Sequence, residues 1–86
     1  MAVNWGSQMK KVTVYSRTGC HLCEIAIDLI KSVKQENNFS LEIKLIDNNS
    51  ELEKEYGEQV PVILIDDKVH DYWRVDLTRF TKAINS

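Results

Sequence analysis

Proline appears once in this chain of 86 residues, glycine three times and cysteine twice. So few backbone breakers leave no linker or low-complexity segment, and no internal repeat is present. Two cysteines are too few for a disulfide-stapled scaffold. A closely spaced pair points instead to redox or metal chemistry in a reducing compartment. No sign dominates the charge: the formal net charge is −2, which offers no footprint for nucleic acid or for an anionic membrane surface. The longest apolar run, Val60 to Ile65, has six residues, against ~20 for a membrane-spanning helix. Residues 1–9 lack the apolar stretch of a secretory signal. The expectation is a cytoplasmic monomer with neither nucleic acid nor a membrane as partner.

What is present is a regular alternation of short strands and helices. With 43% hydrophobic and 28% charged residues, the chain is sized for one small domain that buries about 60% of its unfolded surface. Residues 1–9 show neither periodicity nor a cap and read as a loose tail, so the domain is expected over 10–86. Val12, Val14 and Tyr15 mark a strand over Lys11 to Tyr15. Leu22, Ile25, Ala26, Leu29, Ile30 and Val33 fall at helical spacing, and the helix ends near Asn37-Asn38 with Lys31 and Lys34 in its last turns. Leu41, Ile43 and Leu45 alternate with Glu42 and Lys44, the pattern of a half-buried strand. Ser50 and Glu53 form an S-x-x-E capping box for a short helix that Gly57 stops. Val60 to Ile65 reads as a strand buried on both faces, and Asp67-Lys68 as the hairpin turn into a strand over Val69 to Tyr72. Asp76 caps a last helix in which Leu77, Phe80 and Ile84 share a face. The order is β-α-β-α-β-β-α, an α/β fold with a four-stranded mixed sheet flanked by three helices. Handedness makes the first β-α-β a right-handed parallel unit, and the last two strands form an antiparallel hairpin.

The two cysteines stand in Arg17-Thr18-Gly19-Cys20-His21-Leu22-Cys23, between the first strand and the first helix. A thiolate at a helix N-terminus meets unpaired backbone N–H groups, which stabilise its charge and lower the pH at which it forms. Cys20 at the helix start is therefore the expected nucleophile. Cys23, one turn further in and less exposed, is placed to attack whatever disulfide Cys20 has formed. Pro61 adds a second clue. A proline inside a buried strand lacks the N–H a ladder needs, and its presence makes sense if the Val60–Pro61 peptide is cis. Zinc would need four ligands; only His21 and His70 could join the cysteines, and His21 between them is poorly placed to share their ion.

In this order of elements, a dithiol followed by a Val-Pro that opens a later strand resembles the thioredoxin fold, where such a proline faces the dithiol. The closer resemblance is to glutaredoxins. Tyr15-Ser16-Arg17-Thr18-Gly19-Cys20-x-x-Cys23 is similar to their active-site segment, with a basic residue three positions before the nucleophile. Cys20-His21-Leu22-Cys23, Tyr56-Gly57-x-x-Val60-Pro61-Val62 and Arg74-Val75-Asp76 are similar to a branch of short glutaredoxin-like proteins, over residues 11–85. The resemblance implies a thiol–disulfide oxidoreductase that requires no cofactor and acts on a disulfide-containing protein or a glutathionylated substrate. It also implies that Arg17, His21, Val60 and Pro61 line the substrate site, with Arg17 and the Val60-Pro61 backbone able to grip a glutathione carboxylate and amide. Two features depart from the ordinary glutaredoxin pattern. His21-Leu22 replaces Pro-Tyr between the cysteines, and Tyr72-Trp73-Arg74-Val75-Asp76 occupies the place of a Gly-Gly-Asp-type segment that helps hold glutathione. Glutathione thus stays open as a cosubstrate, with weak turnover expected.

Several side chains carry two readings. His21, when protonated, would favour the Cys20 thiolate; as a solvated residue it would do nothing. Glu24 disfavours a second thiolate at Cys23, or simply complements the helix dipole. Trp73 either flanks the dithiol or packs under the last helix, and the second is expected. The alternatives to the oxidoreductase are a [2Fe–2S] cluster bridged by two chains through Cys20 with glutathione, and a redox-inactive binding module of the same fold.

Overall fold

The structure, a computed structural model, describes residues 10–85; the expectation of a loose tail over residues 1–9 lies outside them. Seven elements follow in the expected order: β1 (Lys10–Ser16), α1 (His21–Lys34), β2 (Phe39–Leu45), α2 (Ser50–Tyr56), β3 (Val62–Ile65), β4 (Lys68–Tyr72) and α3 (Leu77–Ile84). The strands form one sheet in the order β2-β1-β3-β4. β1 pairs parallel with β2, with Val12 opposite Leu41, and antiparallel with β3, with Val14 opposite Ile63. β3 and β4 form the antiparallel hairpin, with an irregularity in register between Ile63 and Leu64.

Strand periodicity splits the sheet into two faces. On one, Val12, Val14 and Ile63 meet Ala26 and Ile30 of α1 and Phe80 and Ile84 of α3, with Phe39 and Val75, in the main core. Phe39 and Phe80 close it edge to face, with ring centroids 5.6 Å apart, the arrangement their quadrupoles favour. A smaller cluster of Cys23, Ile46 and Val60 lies at the end where β1 and β2 finish, with Tyr15, Cys20, Leu52 and Tyr56 packed against it. Tyr15 of β1 and Tyr56 of α2 stack there at 5.0 Å.

Asp76 caps α3 as expected, its carboxylate accepting from Arg79 N at 3.2 Å. The cap of α2 lies one residue earlier than Ser50. Asn49 has the extended cap conformation and its carboxamide oxygen accepts from Leu52 N at 3.0 Å. The preceding turn, closed by Asn49 N donating to Ile46 O with Asn48 at φ 68°, delivers Asn49 to that position, and asparagine caps as well as serine does. The hairpin turn also shifts by one residue. Asp66 and Asp67, at φ 52° and 68°, take its two central positions, as a two-residue turn with left-handed corners requires. Asp66 is tied further by accepting from Lys11 N at 2.9 Å. In β2 the expected half-burial holds only at the start: Phe39 is buried and Leu41 packs on the core, whereas Ile43 and Leu45 are exposed. As the sheet's edge strand, β2 is paired on one side only, and the main core reaches no further along it than Leu41.

His70 of β4 lies beside Phe80, and its Nε2 is buried without a hydrogen-bond partner among the described residues. Burial, and then the Arg79 cation, lower its pKa from the usual 6.5 against the opposing pull of Asp71 and Asp76. The unfolded chain therefore takes up this proton more readily than the folded one. Stability is intact above the unfolded value and is lost as pH falls through ~6.5 towards the lower folded value. Thermal melting followed from about pH 8 to about pH 5 should show this decline, and His70→Gln should flatten it.

Candidate active site

Cys20 and Cys23 are joined as a disulfide at the start of α1, with their Cα atoms 5.2 Å apart. Cys20 is the N-cap: its backbone is extended (φ −87°, ψ 106°) and its sulfur accepts from Cys23 N at 3.1 Å. The Sγ occupies the place where a serine or aspartate oxygen would satisfy the helix end. It follows that a Cys20 thiolate would sit on the positive end of the helix dipole. Access to the pair is unequal. Cys20 is half-buried, whereas Cys23 is 1% exposed and packed with Ile46 and Val60.

The chain reaches Cys20 through a tight turn in which Cys20 N donates to Arg17 O at 3.2 Å and Gly19 has φ 78°. Thr18 in this turn donates through both its backbone N–H, at 3.0 Å, and its hydroxyl to Oδ2 of Asp47, which follows β2. These hydrogen bonds lower the Asp47 pKa, with the Arg17 charge adding to the effect against the opposing cost of burial. Sequence reasoning missed Asp47. No periodic or motif signal connects it to Thr18, 29 positions away.

The Val60–Pro61 peptide is cis, as expected. Val60 belongs to the same apolar cluster as Cys23, with Cys20 packed against it, so the structure brings Cys20, Cys23 and Val60 together. Pro61 is buried, and its carbonyl accepts from Trp73 N at 2.8 Å. Trp73 corrects an expectation: it does not pack under α3 but is 56% exposed, with its indole N–H donating to Glu58 O at 2.9 Å. Its left-handed backbone, φ 66°, turns the chain after β4 back towards the Pro61 loop. His21 and Leu22 between the cysteines are both exposed.

Arg17 is engaged elsewhere. Its guanidinium donates to Gly57 O at 2.7 Å and lies 3.7 Å from the Glu53 carboxylate. The first contact satisfies a carbonyl at the end of α2 with a charge-assisted hydrogen bond. The second is a half-exposed ion pair of small energetic weight. Among the described residues no three or more His, Cys, Asp or Glu side chains gather as a metal site. No described helix is long and apolar enough to cross a membrane.

Comparison with known proteins agrees with this geometry. The family described as Glutaredoxin-like domain (DUF836) matches residues 11–85. An uncharacterized protein of Mycobacterium tuberculosis is 28% identical over 79 residues, which cover 86% of this chain and 81% of that protein. A protein from Nitrosomonas europaea solved by NMR superposes with a TM-score of 0.78 at 32% identity, covering 88% of this chain and 92% of that one. A structural-genomics target from Xanthomonas campestris gives 0.69 at 28% identity, over 86% and 95% of the two chains. A mutant thioredoxin from Halobacterium salinarum, at 16% identity and a TM-score of 0.61 over 87% of this chain and 71% of that one, shares the fold.

Proposed function

Because this chain belongs to the Glutaredoxin-like (DUF836) family, we propose that it is a thiol–disulfide oxidoreductase acting through Cys20 and Cys23. The observation that carries this reading is the asymmetry of the pair. Cys20 caps a helix with its sulfur and is half-buried; Cys23 is 1% exposed, and its sulfur lies within bonding reach of the first. In the reduced protein the Cys20 thiolate attacks one sulfur of a substrate disulfide, and the other substrate sulfur leaves as a thiolate and takes a proton from water. Cys23 then loses its proton and attacks Cys20 Sγ. The second substrate sulfur departs, and the Cys20–Cys23 disulfide remains. Two electrons have passed to the substrate, and a thiol reductant must return them before the next turn.

Protein disulfides fit the surroundings better than glutathione does. Arg17, the side chain placed by resemblance to hold a glutathione carboxylate, is committed to Gly57 O and Glu53. Leu22 and Trp73, 53% and 56% exposed, offer apolar surface beside the dithiol and the Pro61 loop. A protein disulfide such as insulin and a glutathionylated peptide, assayed side by side, test the choice. Each missing charge-assisted anchor is worth about 1.5–3 kcal/mol, or roughly ten- to a hundredfold in affinity. Turnover of the glutathionylated peptide is therefore expected to fall at least about tenfold below that of a glutaredoxin with a complete site, while insulin is reduced. Robust glutathione-dependent turnover that survives Cys23→Ser would reverse the substrate assignment. Failure to reduce either substrate would favour the redox-inactive module.

A further inference from the structure

The turn that presents Cys20 depends on a residue outside its own segment. Within the turn, the Arg17 carbonyl takes Cys20 N–H and Gly19 supplies the left-handed corner. A Cβ on Gly19 would meet no heavy atom within 4 Å, so glycine is required there by its dihedral angle and not by space. The other corner, Thr18, is exposed, and it has both its donors on Oδ2 of Asp47. Asp47 is in turn seated by its neighbour. Ile46 is fully buried, and its N–H donates to Ser16 O at 2.8 Å, which extends the pairing of β1 with β2. Cys20 follows this turn directly, and its extended cap conformation sets its sulfur on Cys23 N.

We propose that Asp47 is a positioning residue for Cys20: through Thr18 it fixes the turn that seats the Cys20 sulfur on the N-terminus of α1. Its value to the protein rests on the oxidoreductase reading, but thiol reactivity reports it without any turnover. Position and charge act in opposite directions here. A carboxylate near a thiol raises the pH at which the thiolate forms, so loss of the charge alone would make Cys20 more reactive. Loss of the positioning takes the sulfur off the helix end and makes it less reactive.

The experiment is iodoacetamide alkylation of the reduced full-length protein across about pH 5 to about pH 9, with Cys20 and Cys23 adducts separated by mass spectrometry and the melting temperature recorded for each variant. Asp47→Ala and Thr18→Val should each slow Cys20 alkylation at neutral pH by about fivefold and move its half-point to higher pH. Asp47→Asn keeps an acceptor for Thr18, and Thr18→Ser keeps the hydroxyl donor. Thr18→Ser should stay within about twofold of the wild-type protein, and Asp47→Asn, which keeps the positioning and drops the charge, should match it or alkylate faster. Unchanged Cys20 alkylation in Asp47→Ala and Thr18→Val overturns the inference even if the melting temperature falls, because the contact would then serve folding alone. Faster alkylation in Asp47→Ala overturns it in favour of a purely electrostatic role. Slowed alkylation in the two disruptive variants, with a wild-type protein that reduces no disulfide, would leave the positioning intact and remove the oxidoreductase reading.

Discussion

Cys20→Ser is expected to bring disulfide reduction down to the rate of buffer alone, since Cys23, the other thiol of the chain, is 1% exposed and shielded from a substrate disulfide. Cys23→Ser should behave differently. The first attack still proceeds, but the mixed disulfide on Cys20 has no internal thiol to resolve it and accumulates. Mass spectrometry of the Cys23→Ser protein recovered from a lysate should therefore find a partner attached to Cys20 and released by a reductant. The attached species names the natural substrate. Equal residual activity in the two variants would contradict the assigned roles. Cys20 capping α1 and Cys23 packed with Ile46 and Val60 cannot be interchanged on physical grounds.

The largest loss of stability should come from Phe80→Ala. Phe80 is fully buried, meets Phe39 edge to face and packs α3 onto the sheet with Ile84. Removing a ring from such a site costs about 3–5 kcal/mol in lost transfer energy and cavity formation, a large fraction of the ~5–15 kcal/mol that holds a small domain together. At ~4–8 °C per kcal/mol for a domain of this size, the melting temperature should fall by at least about 12 °C. Calorimetry or far-ultraviolet circular dichroism against temperature checks this, and a shift below ~4 °C would mean that the site collapses around the missing ring. Phe80→Leu should recover most of the loss, as it keeps the apolar volume and forfeits mainly the aromatic contact.

Element order was legible because each segment carries its period. Val12 and Val14 alternate as a strand must, and Ala26 and Ile30 stand one helical turn apart on the face that meets the core. The close cysteine pair and the cis peptide at Pro61 were legible for a related reason: cysteines at this spacing and a proline at the head of an apolar run, which the structure places just before β3, each have few physical explanations. What escaped were contacts that depend on the chain's path. Asn49 outcompetes Ser50 as the cap of α2 because of the turn before it. Ile43 and Leu45 have the right alternation and yet stay exposed, since periodicity assigns residues to a face without saying how far a helix will cover it. Trp73 turns outward on a left-handed backbone held by Pro61 and Glu58. Arg17 finds Gly57 O 40 positions away, and Asp47 finds Thr18 across 29. Charged and hydroxyl side chains carry no periodic signature that would announce such partners.

The shielding of Cys23 also bears on the return half of the proposed cycle. There a reductant meets the half-buried Cys20 and not Cys23, which is 1% exposed, so reopening the disulfide would expel the Cys23 sulfur as the leaving group. That sulfur departs into a pocket walled by Ile46 and Val60, where a negative charge is poorly solvated. It leaves readily only if a proton arrives as the bond breaks. The resolving step of the proposed cycle meets the same obstacle, because Cys23 must give up its proton in that pocket as it attacks Cys20 Sγ. On the proposed cycle, the wall that keeps outside thiols from the second cysteine would therefore tie both directions to proton movement at the Cys23 sulfur: removal as the disulfide closes, delivery as it reopens.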